Sequence, residues 1–172
     1  ELGAIPVFVD CDDSFCMDVS QIEAKISGKT KAIVPVHFTG YMVNMTELMK
    51  LANDYGIPVV EDACQSILGE FDGKKAGSLG VTGCFSLHPL KNLNVWSDGG
   101  VITTNSDEVA EHLRLLRNHG LRSRDEVELL GFNSRLDTFQ AVVGSWLMPQ
   151  AKTISDKRIE NAMRLDQGLS GI

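Results

Sequence analysis

Two apolar runs with one helical segment between them most strongly limit the possible fold. The segments KAIVPVH (31–37) and IPVVE (57–61) are nearly continuous apolar runs, which is typical of strands buried on both faces. Between them, Asn44 is placed to cap a helix over about 45–55, which Gly56 ends. A strand, a helix and a second strand in this order predict parallel strands joined by a right-handed crossover.

Further elements extend the same alternation along the chain. We expect a short strand at 5–10 and a helix at 18–26. Asp18 is the predicted cap of this helix, and Gln21 is its capping-box partner. The other predicted elements are a turn at 72–73, strands at 81–87 and 99–104, and helices at about 107–118, 136–148 and 152–167. The predicted fold class is α/β, with a mostly parallel sheet flanked by helices.

Charge, hydropathy and cysteine spacing exclude several classes of protein. The 172 residues carry a net charge of −7, which argues against nucleic acid and anionic membrane surfaces as partners. No apolar run approaches the roughly 20 residues of a membrane-spanning helix. The four cysteines include no Cys-x-x-Cys pair, and no Cys/His set has the spacing of zinc ligands. We therefore expect a cytoplasmic protein with reduced thiols and no metal site.

Three polar residues lie where predicted strands end. Asp62 follows the run 57–61, Ser86 lies near the end of 81–87, and Lys91 comes five residues later. Ligands of α/β proteins collect outside the carboxyl ends of the strands. A partly desolvated lysine there can attack a carbonyl to form a Schiff base. An aspartate could pair with a protonated pyridine nitrogen and a hydroxyl could hold a phosphate, so these are the groups that a pyridoxal phosphate site needs.

Each candidate also has a plainer interpretation. Lys91 could be a surface lysine after a strand, and Asp62 could be a helix cap or a turn former. His37 ends a predicted strand, where a satisfied structural histidine is favoured over a ligand-binding one. His88, three residues before Lys91, could be a base or a packing residue. The residues by themselves leave these alternatives open.

Several separated motifs together resemble one known family. They are KAIVPVHFTGY (31–41), VVEDACQS (59–66), FSLHPLKNLNVWSDGG (85–100), RLLRNHG (114–120) and GFNSRLDTFQA (131–141). In order and approximate spacing they resemble the sugar aminotransferases of the DegT/DnrJ/EryC1/StrS family, over about residues 4–150. The resemblance implies the aspartate-aminotransferase fold, which is fold-type I, and pyridoxal 5'-phosphate as cofactor.

The resemblance also implies roles for individual residues. Lys91 matches the lysine that forms the Schiff base and later moves a proton, and Asp62 matches the acid that pairs with the pyridine nitrogen. Gln65 matches a residue beside the cofactor ring, near its phenolic oxygen, and Ser86 matches a phosphate-binding hydroxyl. Asn133 matches an asparagine that reaches the phosphate in the neighbouring subunit, which implies a homodimer.

The chain departs from the family pattern at two points and is expected to be part of a longer protein. SDGG (97–100) stands where the family often has Gly-Glu-Gly-Gly, which leaves the role of Asp98 open, and His88 replaces a common aromatic residue. We expect residues 1–150 to be most of the large cofactor-binding domain, without its amino-terminal phosphate loop and ring-stacking residue. Residues 151–172 would be a helix leading toward a small domain, so we expect the chain alone to be inactive.

The expected function is pyridoxal phosphate-dependent transfer of an amino group from glutamate or glutamine to a keto-sugar, often one linked to a nucleotide. A first alternative is a sugar dehydratase of the same family, but such members carry histidine where Lys91 stands. A second alternative is a non-catalytic cofactor-binding or regulatory homologue. Such a protein would not need both Lys91 and Asp62, and both are present.

Overall fold

The computed structural model describes residues 2–171. Glu1, where the predicted large domain begins, and Ile172, where the predicted final helix ends, lie outside the described residues. The chain divides into two units. The first unit comprises Glu1–Phe85 and Val101–Arg135, and the second comprises Ser86–Gly100 and Leu136–Ile172. The boundary at 85/86 falls inside a strand and directly precedes the segment that carries Lys91.

Two small sheets contain all the regular strands among the described residues. The strands are β1 (Val60–Asp62), β2 (Glu70–Phe71), β3 (Lys74–Lys75), β4 (Thr82–Ser86) and β5 (Gly100–Thr103). The first sheet has the order β1-β4-β5, and β1 is parallel to β4, with Asp62 opposite Cys84. The second is the antiparallel pair β2-β3, which turns through Asp72 and Gly73 at φ 48° and 75°. The predicted parallel pairing and turn are confirmed.

Residues 31–37 were predicted to form a strand buried on both faces, and this prediction is wrong in part. The segment is extended and runs parallel to β1, but it makes only isolated bridges, at Ile33 and Val36. Pro35 has no N–H to donate, so the ladder is broken between them. Val34 and Val36 are 49% and 40% exposed, whereas Ile33 is buried. Only one face of the segment is therefore covered among the described residues.

The predicted strand at 5–10 is also absent from the structure. None of these residues lies in a regular strand, and Ile5 and Phe8 are 86% and 82% exposed. A strand needs a neighbouring strand with which to exchange backbone hydrogen bonds, and no strand pairs with 5–10 among the described residues.

The predicted helix at 18–26 is replaced by two short 3₁₀ turns, Val19–Gln21 and Glu23–Lys25. Asp18 caps the first turn as predicted, but the Gln21 amide donates to the Asp18 carboxylate rather than accepting from its N–H. That N–H already donates to the Asp10 carbonyl at 3.0 Å. The predicted capping box therefore cannot form.

Both helices of the first unit begin directly after a capping residue. Helix α1 (Met45–Tyr55) begins where the Asn44 side chain accepts from the Glu47 N–H, and it ends at Gly56 with φ 63°. Helix α2 (Asp107–Leu116) is capped by Ser106. It ends two residues before the predicted end at 118. A returning segment supplies backbone N–H groups to the last carbonyls of α2 and takes the place of another helical turn.

The second unit contains two helices that follow each other directly. Helix α3 (Thr138–Leu147) begins two residues later than predicted, because Asp137 forms a capping box with Gln140. Helix α4 (Ala151–Leu169) is charged and amphipathic, as predicted. Among residues 2–171, no helix combines the length and apolar character that crossing a bilayer requires.

The core of the first unit lies under α1. Its buried members come from α1, from the segments before it and from the approach to β1: Cys16, Ile22, Ile33, Val43, Met45, Leu48, Ala52 and Val59. This cluster anchors the segment around 33–37 and the start of β1 on the same apolar surface. The strand that ends at Asp62 therefore starts from the packed core.

Gly83 in β4 gives a direct test of this packing. A Cβ at Gly83 would lie 2.1 Å from the Cα of Gly77, so the backbone itself would have to move. We expect Gly83→Ala to lower the free energy of unfolding by about 1–3 kcal/mol or more, measured by urea denaturation. Gly28→Ala is the matched control, because nothing lies within 4 Å of its Cβ position. Equal effects of the two substitutions would contradict the close approach of Gly77 to Gly83.

Candidate functional site

Asp62 is the last residue of β1, at the carboxyl end of the strand as predicted. Both of its backbone hydrogen bonds go to the segment 35–37, because its N–H donates to the Pro35 carbonyl at 2.9 Å and its own carbonyl accepts from the His37 N–H at 3.0 Å. Its side-chain Oδ1 accepts from the Cys64 N–H at 3.0 Å. Asp62 therefore does form a turn, as its plainer interpretation predicted. The turn uses only one of its two carboxylate oxygens, so the carboxylate can accept further hydrogen bonds.

Gln65 and Ser66 complete a short turn after Asp62. The Gln65 side-chain Oε1 accepts from the Thr39 N–H at 3.2 Å, which leaves the NH₂ group at the other side of the amide to donate to a ligand. The buried Ser66 hydroxyl donates to the His37 carbonyl at 2.6 Å. The turn that carries Asp62 and Gln65 is therefore tied to the segment that begins at His37.

Glu61 is the buried charge at the centre of the first unit, with no exposed surface. Its Oε2 accepts from His37 Nε2 at 3.0 Å and from the Gly77 N–H at 2.8 Å. Its Oε1 accepts from the N–H groups of Leu79 and Gly80 at 2.7 and 2.6 Å. Every oxygen of the carboxylate is thus satisfied by two donors. In the sequence, Glu61 stands out only as the end of an apolar run, so this role was not predicted.

The pKa of the Glu61 carboxyl reflects two opposing effects. Burial alone raises the pKa, because it disfavours the charged form. The hydrogen bond from His37 and those from the three backbone amides outweigh burial, so the pKa lies below its ordinary value. Glu61 is therefore ionised in the folded protein at neutral pH.

His37 is a fully buried structural residue, as the favoured interpretation predicted. Its Nδ1 accepts from the Val43 N–H at 3.3 Å, so the proton of the neutral ring lies on Nε2, which donates to Glu61. Since both ring nitrogens are bonded inside the protein, the His37 side chain does not contact a ligand.

The end of β4 and the lysine segment belong to the second unit. The Ser86 hydroxyl oxygen accepts from the His88 N–H at 3.3 Å, which leaves its O–H free to donate. The His88 carbonyl accepts from the Lys91 N–H at 2.8 Å, and the Asn94 side chain donates to the Lys91 carbonyl at 3.3 Å. These bonds hold Lys91 in an ordered turn after the strand.

Apolar anchors fix the lysine segment further. Leu87, Leu93 and Val95 are buried, and the Val95 N–H donates to the Leu87 carbonyl at 3.1 Å. Lys91 itself is half-buried. Within its own unit, its ammonium group has no hydrogen-bond or ion-pair partner among the described residues. A half-buried amine without an ion pair is the arrangement that a Schiff-base lysine requires.

His88 and Asp98 lie near each other in the second unit. The His88 Nε2 is 3.9 Å from an Asp98 oxygen, and Asp98 is 93% exposed, so the pair is a weak surface interaction. The other ring nitrogen of His88 accepts from the Leu90 N–H at 3.2 Å. One nitrogen of His88 therefore shapes the lysine turn, and the other faces an exposed acid.

Asn133 lies in the segment that returns to the end of α2. It forms an antiparallel bridge with Asn118, and its neighbour Phe132 accepts from the His119 N–H at 2.8 Å. The Asn133 side-chain oxygen accepts from Arg135 Nε at 3.1 Å, so its NH₂ group remains to donate. The Asn133 side chain is exposed.

The structure thus gathers the candidates into three groups. Asp62 and Gln65 share one turn of the first unit, Ser86 and Lys91 share one segment of the second unit, and Asn133 lies on the segment after α2. Each side chain offers the group that its predicted role requires: a carboxylate, amide donors, a hydroxyl donor and an amine that has no ion pair within its own unit among residues 2–171.

Comparisons with known proteins identify the family. The model of the DegT/DnrJ/EryC1/StrS aminotransferase family matches residues 1–172, and the chain belongs to this family. The predicted resemblance is therefore confirmed.

Two curated relatives cover nearly the whole chain. One is a "Pleiotropic regulatory protein" of Geobacillus stearothermophilus, 43% identical over 93% of this chain and 43% of the relative. The other is a UDP-N-acetyl-3-dehydro-alpha-D-glucosamine 3-aminotransferase of Acidithiobacillus ferrooxidans, 44% identical over 91% of this chain and 43% of the relative. The chain thus spans less than half the length of the relatives it matches.

Solved structures agree with the predicted fold. A DegT DnrJ EryC1 StrS aminotransferase from Brucella abortus superposes with a TM-score of 0.93, at 35% identity over 99% of this chain and 48% of that one. The NtdA structure from Bacillus subtilis with bound cofactor PMP has a TM-score of 0.84, at 34% identity over 98% of this chain and 39% of that one. The α/β, fold-type I prediction is confirmed.

Glu61 generates a prediction about stability and its pH dependence. Glutamine offers one acceptor oxygen, so Glu61→Gln leaves about two of the buried donors without a partner, at about 1–3 kcal/mol each. We expect the free energy of unfolding to fall by about 2 kcal/mol or more at pH 7, measured by urea denaturation. Glu160→Gln on exposed α4 is the control and should change it by less than about 0.5 kcal/mol.

The pH dependence follows from the lowered pKa of Glu61. A carboxyl with a folded-state pKa below its unfolded value stabilises the fold above the unfolded pKa, and this stabilisation is lost as the pH falls through the folded pKa. The stability difference between the natural protein and Glu61→Gln should therefore shrink below about pH 4. A difference that stays constant down to pH 2 would show that Glu61 is not ionised in the fold.

Proposed function

We propose that this chain is the central part of a pyridoxal phosphate-dependent aminotransferase that moves an amino group from glutamate or glutamine to a keto-sugar, often one linked to a nucleotide. The observation that supports this proposal most is the half-buried Lys91, whose ammonium group has no hydrogen-bond or ion-pair partner within its unit among the described residues. Membership of an aminotransferase family supports the same conclusion. Residues 1–150 would form most of the large domain, and 151–172 would lead toward a small domain.

The cofactor proposal rests on the donor set of the chain. When bound, pyridoxal phosphate withdraws electrons from the substrate carbon that carries the amino group. Asp62 would accept a hydrogen bond from the ring nitrogen and keep that nitrogen protonated, since a carboxylate stabilises a neighbouring cation. Gln65 would donate to the phenolic oxygen through its NH₂ group. Both residues lie on one turn, so one backbone segment would orient two edges of the ring.

The remaining candidates would bind the phosphate and carry out proton transfer. Ser86 would donate its O–H to a phosphate oxygen, and Asn133 would donate its NH₂ group to the phosphate of the neighbouring subunit in a homodimer. Charge-assisted bonds of this kind are worth about 1.5–3 kcal/mol each. The Lys91 amine would hold the cofactor and then move a proton at the substrate carbon. We place this enzyme in the cytoplasm.

The substrate proposal draws on the relatives. The relative in Acidithiobacillus ferrooxidans is named for a nucleotide-linked keto-sugar, which supports that substrate class here. A regulatory function is the second candidate, because the Geobacillus stearothermophilus relative carries that name. A family dehydratase is disfavoured, because Lys91 stands where those members have histidine.

Covalent trapping tests the assignment of Lys91. Reducing the full-length protein with borohydride in the presence of pyridoxal phosphate should fix the cofactor on the peptide that contains Lys91, as read by mass spectrometry. Lys91→Arg, which keeps the charge but removes the primary amine, should remain unlabelled. Lys74 and Lys75 are exposed on β3 and serve as internal controls. Equal labelling of these lysines would overturn the assignment.

Removing the charge of Asp62 tests its proposed role at the ring nitrogen. Asp62→Asn keeps an oxygen that can accept from the Cys64 N–H, so we expect the turn to stay folded. Transamination should fall by about two orders of magnitude, the scale for loss of one preorganised electrostatic group. Asp54→Asn, at the exposed end of α1, should retain activity. Near-normal turnover by Asp62→Asn would mean that Asp62 acts only as a turn former.

A further inference from the structure

His37 uses all four of its polar atoms, and three of its bonds reach the segment 61–66. Its N–H donates to the Asp62 carbonyl at 3.0 Å, and its carbonyl accepts from the Ser66 hydroxyl at 2.6 Å. Its Nε2 donates to Glu61 at 3.0 Å. The fourth bond, from the Val43 N–H to Nδ1, fixes the ring itself. His37 therefore forms hydrogen bonds with Asp62 itself and with residues before and after it.

Glu61 extends this arrangement to the segment before β4. Its carboxylate accepts from the N–H groups of Gly77, Leu79 and Gly80, and those residues lead directly into the strand that pairs with β1. The carboxylate thus joins two neighbouring parts of the first unit to the same imidazole. Both side chains have no exposed surface, so they can affect a ligand only through the residues that they hold.

Glu61 and Asp62 are neighbours in β1, so the geometry of the strand relates the directions of their side chains. Successive side chains of a strand point to opposite faces, so the side chain of Glu61 points into the core while that of Asp62 points away from it. Asp62 is half-buried and Gln65 is exposed, which suits contact with a ligand. Fixing Glu61 on the buried face therefore fixes the direction of Asp62 on the other face.

We propose that the buried His37–Glu61 pair positions Asp62 and Gln65 against the cofactor ring. The inference rests on the proposed function for the identity of the ligand, but the positioning itself is a property of the protein without cofactor. The sequence after Asp62 is also held from β4 and from Thr39: the Ala63 N–H and the Cys64 thiol donate to the Cys84 carbonyl at 2.9 and 3.6 Å, and Gln65 accepts from the Thr39 N–H. Because the buried bonds of His37 and Glu61 lie on both sides of Asp62 in the sequence, we expect their loss to loosen this turn more than the rest of the unit.

The first arm of the test uses the cofactor-free, full-length protein. Hydrogen exchange, read by mass spectrometry, is compared between the peptide spanning 60–68 and the peptide spanning α1. His37→Leu and Glu61→Gln should raise exchange of 60–68 relative to α1 by about tenfold or more. Leu48→Ala, a core substitution within α1, is the control and should not raise this ratio. The same ratio in all three variants would overturn the proposal.

The second arm uses protein loaded with pyridoxal phosphate that carries ¹⁵N in its ring. His37→Leu and Glu61→Gln should move the ring-nitrogen resonance toward that of the unprotonated pyridine and lower kcat by about 10- to 100-fold, with a smaller change in KM. His37→Gln, whose amide retains a donor and an acceptor, should recover part of both effects. Leu48→Ala should leave the resonance in place.

The two arms separate the inference from the proposed function. If the natural protein binds no cofactor at Lys91, the proposed function is overturned, and hydrogen exchange still decides whether the pair holds 60–68. If it binds cofactor and the resonance is the same in His37→Leu as in the natural protein, the pair is a stabilising feature only and the inference is wrong.

Discussion

The structure depends most on one buried carboxylate. Glu61 has no exposed surface, and its two oxygens accept from one imidazole and three backbone amides. An ionised carboxylate without such donors would cost several kcal/mol to bury, so the donors and the charge require each other. This arrangement joins the segment at His37, the strand β1 and the approach to β4, and it places Asp62 at the end of a strand that cannot easily shift.

The lysine segment is built by a different principle. Instead of a buried charge, it uses buried apolar side chains and short backbone turns: Leu87, Leu93 and Val95 anchor it, and the turn from His88 presents Lys91. In the same unit, a Cβ on Gly99 would lie 2.9 Å from both Val95 and Leu136, so the segment also relies on a residue without a side chain. Because this support uses no ion pair to Lys91 among the described residues of its unit, the amine of Lys91 stays available.

A structural feature could be predicted from the sequence when the residues that cause it are neighbours in the chain. The cap at Asn44 and the end of α1 at Gly56 arise from a few adjacent residues, and both were predicted. The role of Glu61 was missed because its donors are 16 to 24 residues away in sequence. The prediction of a strand at 5–10 is wrong because strand formation depends on a neighbouring strand, which a local sequence pattern does not reveal. Asp62, Ser86 and Lys91 were predicted from their positions after strands, whereas Gln65 and Asn133 came only from the family resemblance. The cofactor roles of all five stay predictions.

A crystal structure of the full-length protein with pyridoxal phosphate would show whether Lys91 and Asp62 hold the cofactor as proposed. We expect continuous density between Lys91 Nζ and the cofactor, with an Asp62 carboxylate oxygen about 2.7–2.9 Å from the ring nitrogen, the range of charge-assisted hydrogen bonds. We also expect the His37–Glu61 contact of 3.0 Å to be retained. Cofactor density on another lysine, or an Asp62 side chain that contacts only the Cys64 N–H, would contradict the proposed roles of these residues.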